Sequence, residues 1–98
     1  MNQKMKPSHP GAILREDILK ETKLTVTKAA QGLHISRKQL SEIVNESASI
    51  TAEMAVRLEN GFGIPAHFWL DLQNKFDVWK VQESGRVKEI QRFNTLVA

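Results

Sequence analysis

Apolar residues recur along this chain at intervals of three and four positions, the spacing that places side chains on one face of an α-helix. Five such segments follow one another, separated by short stretches rich in Gly, Pro, Ser, Thr and Asn. No segment of any length alternates with the period of two that is typical of a half-buried strand. The pattern therefore predicts an all-α protein without internal repeats or low-complexity tracts.

Capping residues indicate where these helices begin and end. Pro10 suits the first turn of a helix, because its missing N–H would be unpaired there in any case. Thr25 is a good N-cap for a second helix that runs to about residue 33, and Thr51 for a fourth. The glycines and the proline of "NGFGIP" end the fourth helix and start a fifth, at about residues 65–82.

The length of 98 residues is that of one domain, 1–98. Polar residues 1–8 predict a flexible arm, and residues 83–98, with a weaker periodic pattern, predict a C-terminal helical extension. No signal peptide or membrane-length apolar run is visible, and no cysteine indicates an oxidising compartment. We therefore expect a cytoplasmic protein with no membrane partner.

The third helix, about residues 36–44, has an apolar side and a side of hydrogen-bonding groups. Ser36 and Gln39 are three positions apart, which fits a capping box. At about 100° per residue, Leu40, Ile43 and Val44 share one side. The opposite side and its flanks carry Lys38, Gln39, Ser41, Glu42 and Asn45.

The second and third helices together have the pattern of a helix-turn-helix, over about residues 25–45. Ala29 and Ala30 are small where two helices cross, and "GLHI" is a turn of suitable length. The second helix of this motif lies in the major groove of DNA, where arginine or lysine reads guanine and glutamate reads cytosine. We expect a DNA-binding site formed by Thr25, Thr27, Lys28, Ser36, Arg37, Lys38, Gln39, Ser41, Glu42 and Asn45.

The net charge of +3 is compatible with a polyanionic partner such as DNA. A polar outer face also occurs on ordinary surface helices, so composition and periodicity alone leave that alternative open. Thr25, Thr27 and Lys28 lie at the start of the second helix, where backbone N–H groups and the helix dipole favour a phosphate.

Neither a metal site nor a catalytic site is indicated. His9, His34 and His67 lack the spacing of paired zinc ligands, and no serine lies in a nucleophile turn. Asp71 and Asp77 are six positions apart on one helix, so they point in different directions. We expect no metal, no cofactor and no enzymatic activity.

The fifth helix carries an aromatic stripe. Phe68, Trp69 and Leu72 fit positions in the core. A domain of this size has little room to bury Phe76 and Trp79 as well, and aromatic residues are enriched at the centres of protein interfaces. The candidates for a homodimer contact are Trp69, Phe76 and Trp79.

Three stretches of the chain, "HPGAILREDIL", "KAAQGLHISRKQLSEIVN" and "AVRLENGFGIPAHFWLDLQNKFD", carry a family resemblance. Over residues 8 to about 80 the chain resembles Xre-type (Cro- and phage-repressor-like) helix-turn-helix domains, and more narrowly HigA/VapI-like antitoxins. The resemblance implies a five-helix lambda-repressor-like fold that dimerises on a palindromic operator. It further implies a type II antitoxin that represses its own operon and neutralises a RelE-like mRNA-cleaving toxin.

Two positions depart from the family pattern. His34 stands in the turn where related domains usually have glycine, so a residue with a Cβ would adopt a left-handed backbone there. Gly61 stands where a helix former is expected, which would shorten the fourth helix. Neither departure breaks the match.

Two other functions are compatible with the sequence. The first is a stand-alone Cro-like transcriptional regulator without a toxin. The second is a helical protein-interaction module that does not bind DNA. If a toxin is bound, residues 1–8 and 81–98 are the candidate contacts.

Overall fold

The structure is a computed structural model that describes residues 5–94. α1 covers residues 10–22 as Pro10–Ile13, a π-helical middle Leu14–Leu19, and Lys20–Thr22. The helices that follow are α2 (Val26–Leu33), α3 (Arg37–Val44), α4 (Ala52–Phe62) and α5 (Ala66–Ser84). The described residues contain no strand, and the predicted five-helix, all-α fold is confirmed.

The starts of α1, α2, α3 and α4 lie where the sequence placed them, because each cap there makes its hydrogen bond. The hydroxyls of Thr25, Ser36 and Thr51 each accept a bond from the backbone N–H three residues later. The capping box of Ser36 is complete, since the Gln39 side chain accepts from the Ser36 N–H at 3.0 Å. In α1 the imidazole of His9 is the cap, and its Nδ1 accepts from the Gly11 N–H at 2.8 Å.

The core lies where α1, α3, α4 and α5 meet. Leu14, Leu40, Leu58 and Trp69, one from each of these helices, are fully buried. Burying a side chain of this size contributes about 1.5–3 kcal/mol. No helix among residues 5–94 combines the length and the hydropathy needed to cross a membrane.

Two glycines allow helices to approach closely. A Cβ on Gly11 would lie 1.8 Å from the carbonyl oxygen of Ile43, so α1 touches the backbone of α3 directly. A Cβ on Gly61 would lie 2.7 Å from Cδ2 of Leu33. The expectation that Gly61 shortens the fourth helix was wrong, since α4 continues through it to Phe62. Its role is to leave room for Leu33.

The two ends of the described chain leave the helical body differently. Residues 5–8 have no regular secondary structure and lie beside α5, where the Lys6 ammonium is 5.6 Å from the ring centre of Trp79. Gly85, with φ 73°, ends α5. Of the predicted C-terminal extension, residues 83 and 84 complete α5, and residues 86–94 form no further α-helix. Residues 1–4 of the predicted arm and residues 95–98 of the extension lie outside the described residues.

We predict that Gly11→Ala destabilises the protein by about 3 kcal/mol, because α1 or α3 must move to accept the methyl group. Gly32→Ala is the matched control, since a Cβ there meets nothing within 4 Å and alanine favours the helix by about 0.5–1 kcal/mol. Urea unfolding followed by circular dichroism measures both changes. Equal stability of the two variants would contradict the close contact.

Candidate nucleic-acid interface

α3 divides into a buried side and an exposed side, as its sequence pattern predicts. Leu40, Ile43 and Val44 are at most 5% exposed and fix the helix to the rest of the protein. The opposite side carries a row of hydrogen-bonding side chains. Ser41 is half-buried, and the other side chains of the row are exposed to solvent. This row consists of Arg37, Lys38, Ser41, Glu42 and Asn45.

The start of α2 lies beside the start of α3. Arg37 Nε donates a hydrogen bond to Thr27 Oγ1 at 3.1 Å. Thr25 Oγ1 accepts from the backbone N–H of Lys28 at 3.1 Å, and the Lys28 side chain is exposed. The two ends therefore form one continuous polar surface that carries the cations of Lys28 and Arg37.

Two of the expected site residues at the start of α3 are occupied by local structure. The Ser36 hydroxyl accepts a hydrogen bond from the backbone N–H of Gln39. In return, the side-chain amide oxygen of Gln39 accepts one from the backbone N–H of Ser36. Both side chains thus hold the first turn of α3. At the other end, Asn45 Nδ2 donates to Ser41 Oγ at 3.4 Å, which places these two side chains together.

Arg57 of α4 contacts the turn between α2 and α3, which sequence reasoning missed. Its Nη1 donates to the carbonyl oxygens of Leu33 at 2.9 Å and His34 at 3.3 Å. Its Nη2 and Nε donate to Glu53 Oε2 at 2.7 and 3.3 Å. The spacing of Glu53 and Arg57 is visible in the sequence as an i,i+4 ion pair, whereas the contact with α2 is not.

Arg15 of α1 makes a similar contact at the end of α3, and it too was missed. Its Nη1 donates to the carbonyl oxygen of Val44, and its Nη2 lies 3.2 Å from Glu46 Oε2. Its Nε lies 3.0 Å from Glu16 Oε2. Arg15 lies on the polar side of α1, and helix periodicity gives no sign of which residues such a side chain contacts.

The loop that follows α3 is held by α5 and by the start of α1. Gln73, only 5% exposed, accepts from the Ile50 N–H at 2.8 Å and donates to Asp77 Oδ1 at 3.0 Å. His9, 3% exposed, packs edge-on against the ring of Phe76 at 4.9 Å. Burial lowers the pKa of His9 below its usual value, and the charges of Glu46 and Asp77 oppose this shift only in part.

The aromatic helix differs from expectation at two positions. Trp69 is 0% exposed within a single chain, so its assignment to a dimer contact was wrong: it has no surface left for a partner. Phe68, expected in the core, is 42% exposed instead. Phe76 and Trp79 are half-buried, the former against His9. The apolar side chains that α5 leaves exposed are Phe68, Val78 and Val81.

Among residues 5–94 no three His, Cys, Asp or Glu side chains come together in a way that could hold a metal ion. The chemistry of the exposed side of α3 is that of hydrogen-bond donors, acceptors and cations. Such groups recognise base edges and phosphates in protein–DNA interfaces.

A family model described as helix-turn-helix matches residues 16–69. An uncharacterised HTH-type transcriptional regulator of Haemophilus influenzae is 39% identical over 84 residues, which cover 86% of this chain and 78% of the relative. The chain belongs to this helix-turn-helix family.

Solved structures place the chain beside antitoxins of that family. The antitoxin GraA superposes with a TM-score of 0.86 at 32% identity, covering 91% of this chain and 99% of the other. The Pseudomonas aeruginosa antitoxin HigA, solved with the higBA promoter, superposes with a TM-score of 0.85 at 32% identity, covering 90% and 99%. The resemblance to HigA-type antitoxins and the lambda-repressor-like fold are confirmed.

We predict that the protein loses stability as the pH falls below about 6.5. His9 has a lowered pKa in the folded state, so the unfolded chain binds the proton more readily. The stability due to its neutral form is full above about pH 6.5 and falls below it by at most about 1.4 kcal/mol per pH unit. Urea unfolding at about pH 7.5 and about pH 5 measures the difference.

The variant His9→Asn keeps an acceptor for the Gly11 N–H but has no group that titrates at this position. We therefore expect its free energy of unfolding to differ less between the two pH values than that of the wild type. His67→Asn is the control, because His67 is exposed on α5. An unchanged pH dependence in His9→Asn would show that other groups cause the effect.

Proposed function

We propose that this protein is a homodimeric, sequence-specific DNA-binding antitoxin that represses its own operon and neutralises a RelE-like mRNA-cleaving toxin. The observation that carries the DNA-binding part is the exposed side of α3. Its Arg37, Lys38, Ser41, Glu42 and Asn45 side chains are held on a helix whose other side is buried. The structure of the HigA relative with the higBA promoter supports DNA binding by this fold.

The proposed mechanism divides the contacts between phosphates and bases. Thr25, Thr27 and Lys28, at the start of α2, contact the phosphate backbone and fix the register of the protein. The row on α3 enters the major groove, where Arg37 or Lys38 addresses guanine O6 and N7. Each bidentate contact contributes about 1–3 kcal/mol of discrimination. Bound protein then blocks transcription without a cofactor.

The proposed dimer forms through the exposed side of α5. Phe76 and Trp79 of the predicted contact are half-buried in a single chain, and Val78, next to Trp79 in the sequence, is 54% exposed. Residues of the N-terminal segment line an open groove of about 350 Å³ with the same helix. Two copies would present two α3 helices to successive turns of a palindromic operator, about 34 Å apart.

The toxin part of the proposal is supported by relatives that are themselves antitoxins. A stand-alone Cro-like regulator would have the same DNA-binding surface, and the relative from Haemophilus influenzae bears only a regulator's name. The neighbouring gene distinguishes these two functions. An antitoxin gene lies next to the gene of a small toxin, and the toxin protein co-purifies with the antitoxin protein. A protein-interaction module would show no salt-dependent operator binding.

We predict that Arg37→Ala combined with Lys38→Ala abolishes specific binding to the DNA upstream of the protein's own gene. The fold should persist, because both side chains are exposed and the buried side of α3 is unchanged. Fluorescence anisotropy with labelled duplex at 50 and 200 mM salt measures the affinity. For the wild type, log K should fall with log salt by about 0.9 for each phosphate neutralised.

The matched control is Arg86→Ala combined with Lys88→Ala, which removes two exposed cations from the segment after α5. We expect this control to keep sequence discrimination. If the α3 double variant bound the upstream DNA as tightly as the wild type does, α3 would not be the reading element.

We predict that Val78→Glu makes the protein monomeric, because the dimer would bury an unpaired carboxylate at a large free-energy cost. Val56→Glu is the control, since Val56 is 49% exposed on α4. Light scattering after size-exclusion chromatography gives the mass of each variant. A dimeric Val78→Glu variant would place the contact elsewhere.

A further inference from the structure

The turns before and after α3 each contain a non-glycine residue with a left-handed backbone. His34, with φ 59°, lies two residues before the N-cap of α3, and Glu46, with φ 65°, lies just after its C-cap. Side chains with a Cβ disfavour this conformation, so neither turn is kept in place by its own backbone preference. Local backbone hydrogen bonds close each turn, and contacts from outside the helix-turn-helix that hold these turns would further fix the orientation of α3.

An arginine from outside the motif contacts each of these turns. Arg57 of α4 donates to the carbonyl oxygens of Leu33 and His34, at 2.9 and 3.3 Å. Arg15 of α1 donates to the carbonyl oxygen of Val44 and forms an ion pair with Glu46 at 3.2 Å. Each guanidinium binds two groups at once on the turn, which a single ammonium does less well.

We propose that Arg15 and Arg57 are positioning residues that fix the angle of α3 and thereby its discrimination between operator and other DNA. The inference rests on the proposed DNA-binding function. Hydrogen bonds to base edges weaken steeply with misalignment, whereas attraction to phosphates is long-range and insensitive to sequence. A loosened α3 should therefore lose specific affinity and keep non-specific affinity.

The test replaces each arginine singly by lysine, Arg15→Lys and Arg57→Lys, which keeps the charge and removes the planar fork. The probes are duplex DNA from immediately upstream of the protein's own gene and a shuffled duplex of equal length and composition. We expect the ratio of the affinity for the upstream duplex to that for the shuffled duplex to fall about tenfold in each variant. A fall of this size is part of the discrimination that one base contact supplies. Affinity for the shuffled duplex and the salt dependence should not change.

Two controls separate positioning from stability and from charge. Ile64→Val removes one methyl group at a partly buried position that belongs to neither turn, and lowers stability by about 0.5–1.5 kcal/mol. Arg86→Lys makes the same chemical change at a residue whose guanidinium contacts Ser84 Oγ at 3.2 Å. Both controls should keep the wild-type ratio. Glu53→Gln leaves Arg57 in place without its charged partner, so it should also lower the affinity ratio. This variant replaces Arg57→Lys in the test if Arg57→Lys does not fold.

The outcomes distinguish this inference from the function on which it rests. If the wild type discriminates between the two duplexes and the lysine variants do so equally well, the arginines only stabilise the fold and the inference is overturned. The same follows if Ile64→Val lowers the ratio as much as they do. If the wild type binds both duplexes equally, the proposed function fails and the inference fails with it.

Discussion

The close contact between α1 and α3 is the constraint on which the other features depend. At Gly11 the backbone of α1 lies so near the Ile43 carbonyl that no Cβ fits between them. This contact brings Arg15 within reach of the last carbonyl of α3 and places His9 under the loop that follows. Because the inner side of α3 is covered in this way, its outer side is left free for another molecule.

The polar groups of α3 are divided between holding the helix and facing solvent. Ser36 and Gln39 satisfy each other's backbone N–H groups, and Arg15 satisfies a carbonyl at the opposite end. Within residues 5–94 the side chains of Lys38 and Glu42 form no hydrogen bond with another part of the protein, and both are exposed. A helix whose ends are satisfied from within the protein can offer its exposed row to DNA without losing its own structure.

Local signals predicted the helices well, and long-range contacts could not be predicted from them. Thr25 and Thr51 cap helices where the sequence placed them, because a cap acts on the next three residues. Periodicity gives the apolar side of a helix but not which neighbour covers it, so Trp69 was assigned both to the core and to an interface. Likewise, the contact of Arg57 with α2 joins residues 24 positions apart and has no local signature.

The central claim is that the exposed row of α3 reads bases in the major groove, and methylation interference tests it most directly. Methyl groups on guanine N7 lie in the major groove, whereas those on adenine N3 lie in the minor groove. We expect guanine methylation in the upstream DNA to prevent binding at two clusters about one helical turn apart. Interference from adenine N3 alone, or none at either site despite binding, would contradict the account.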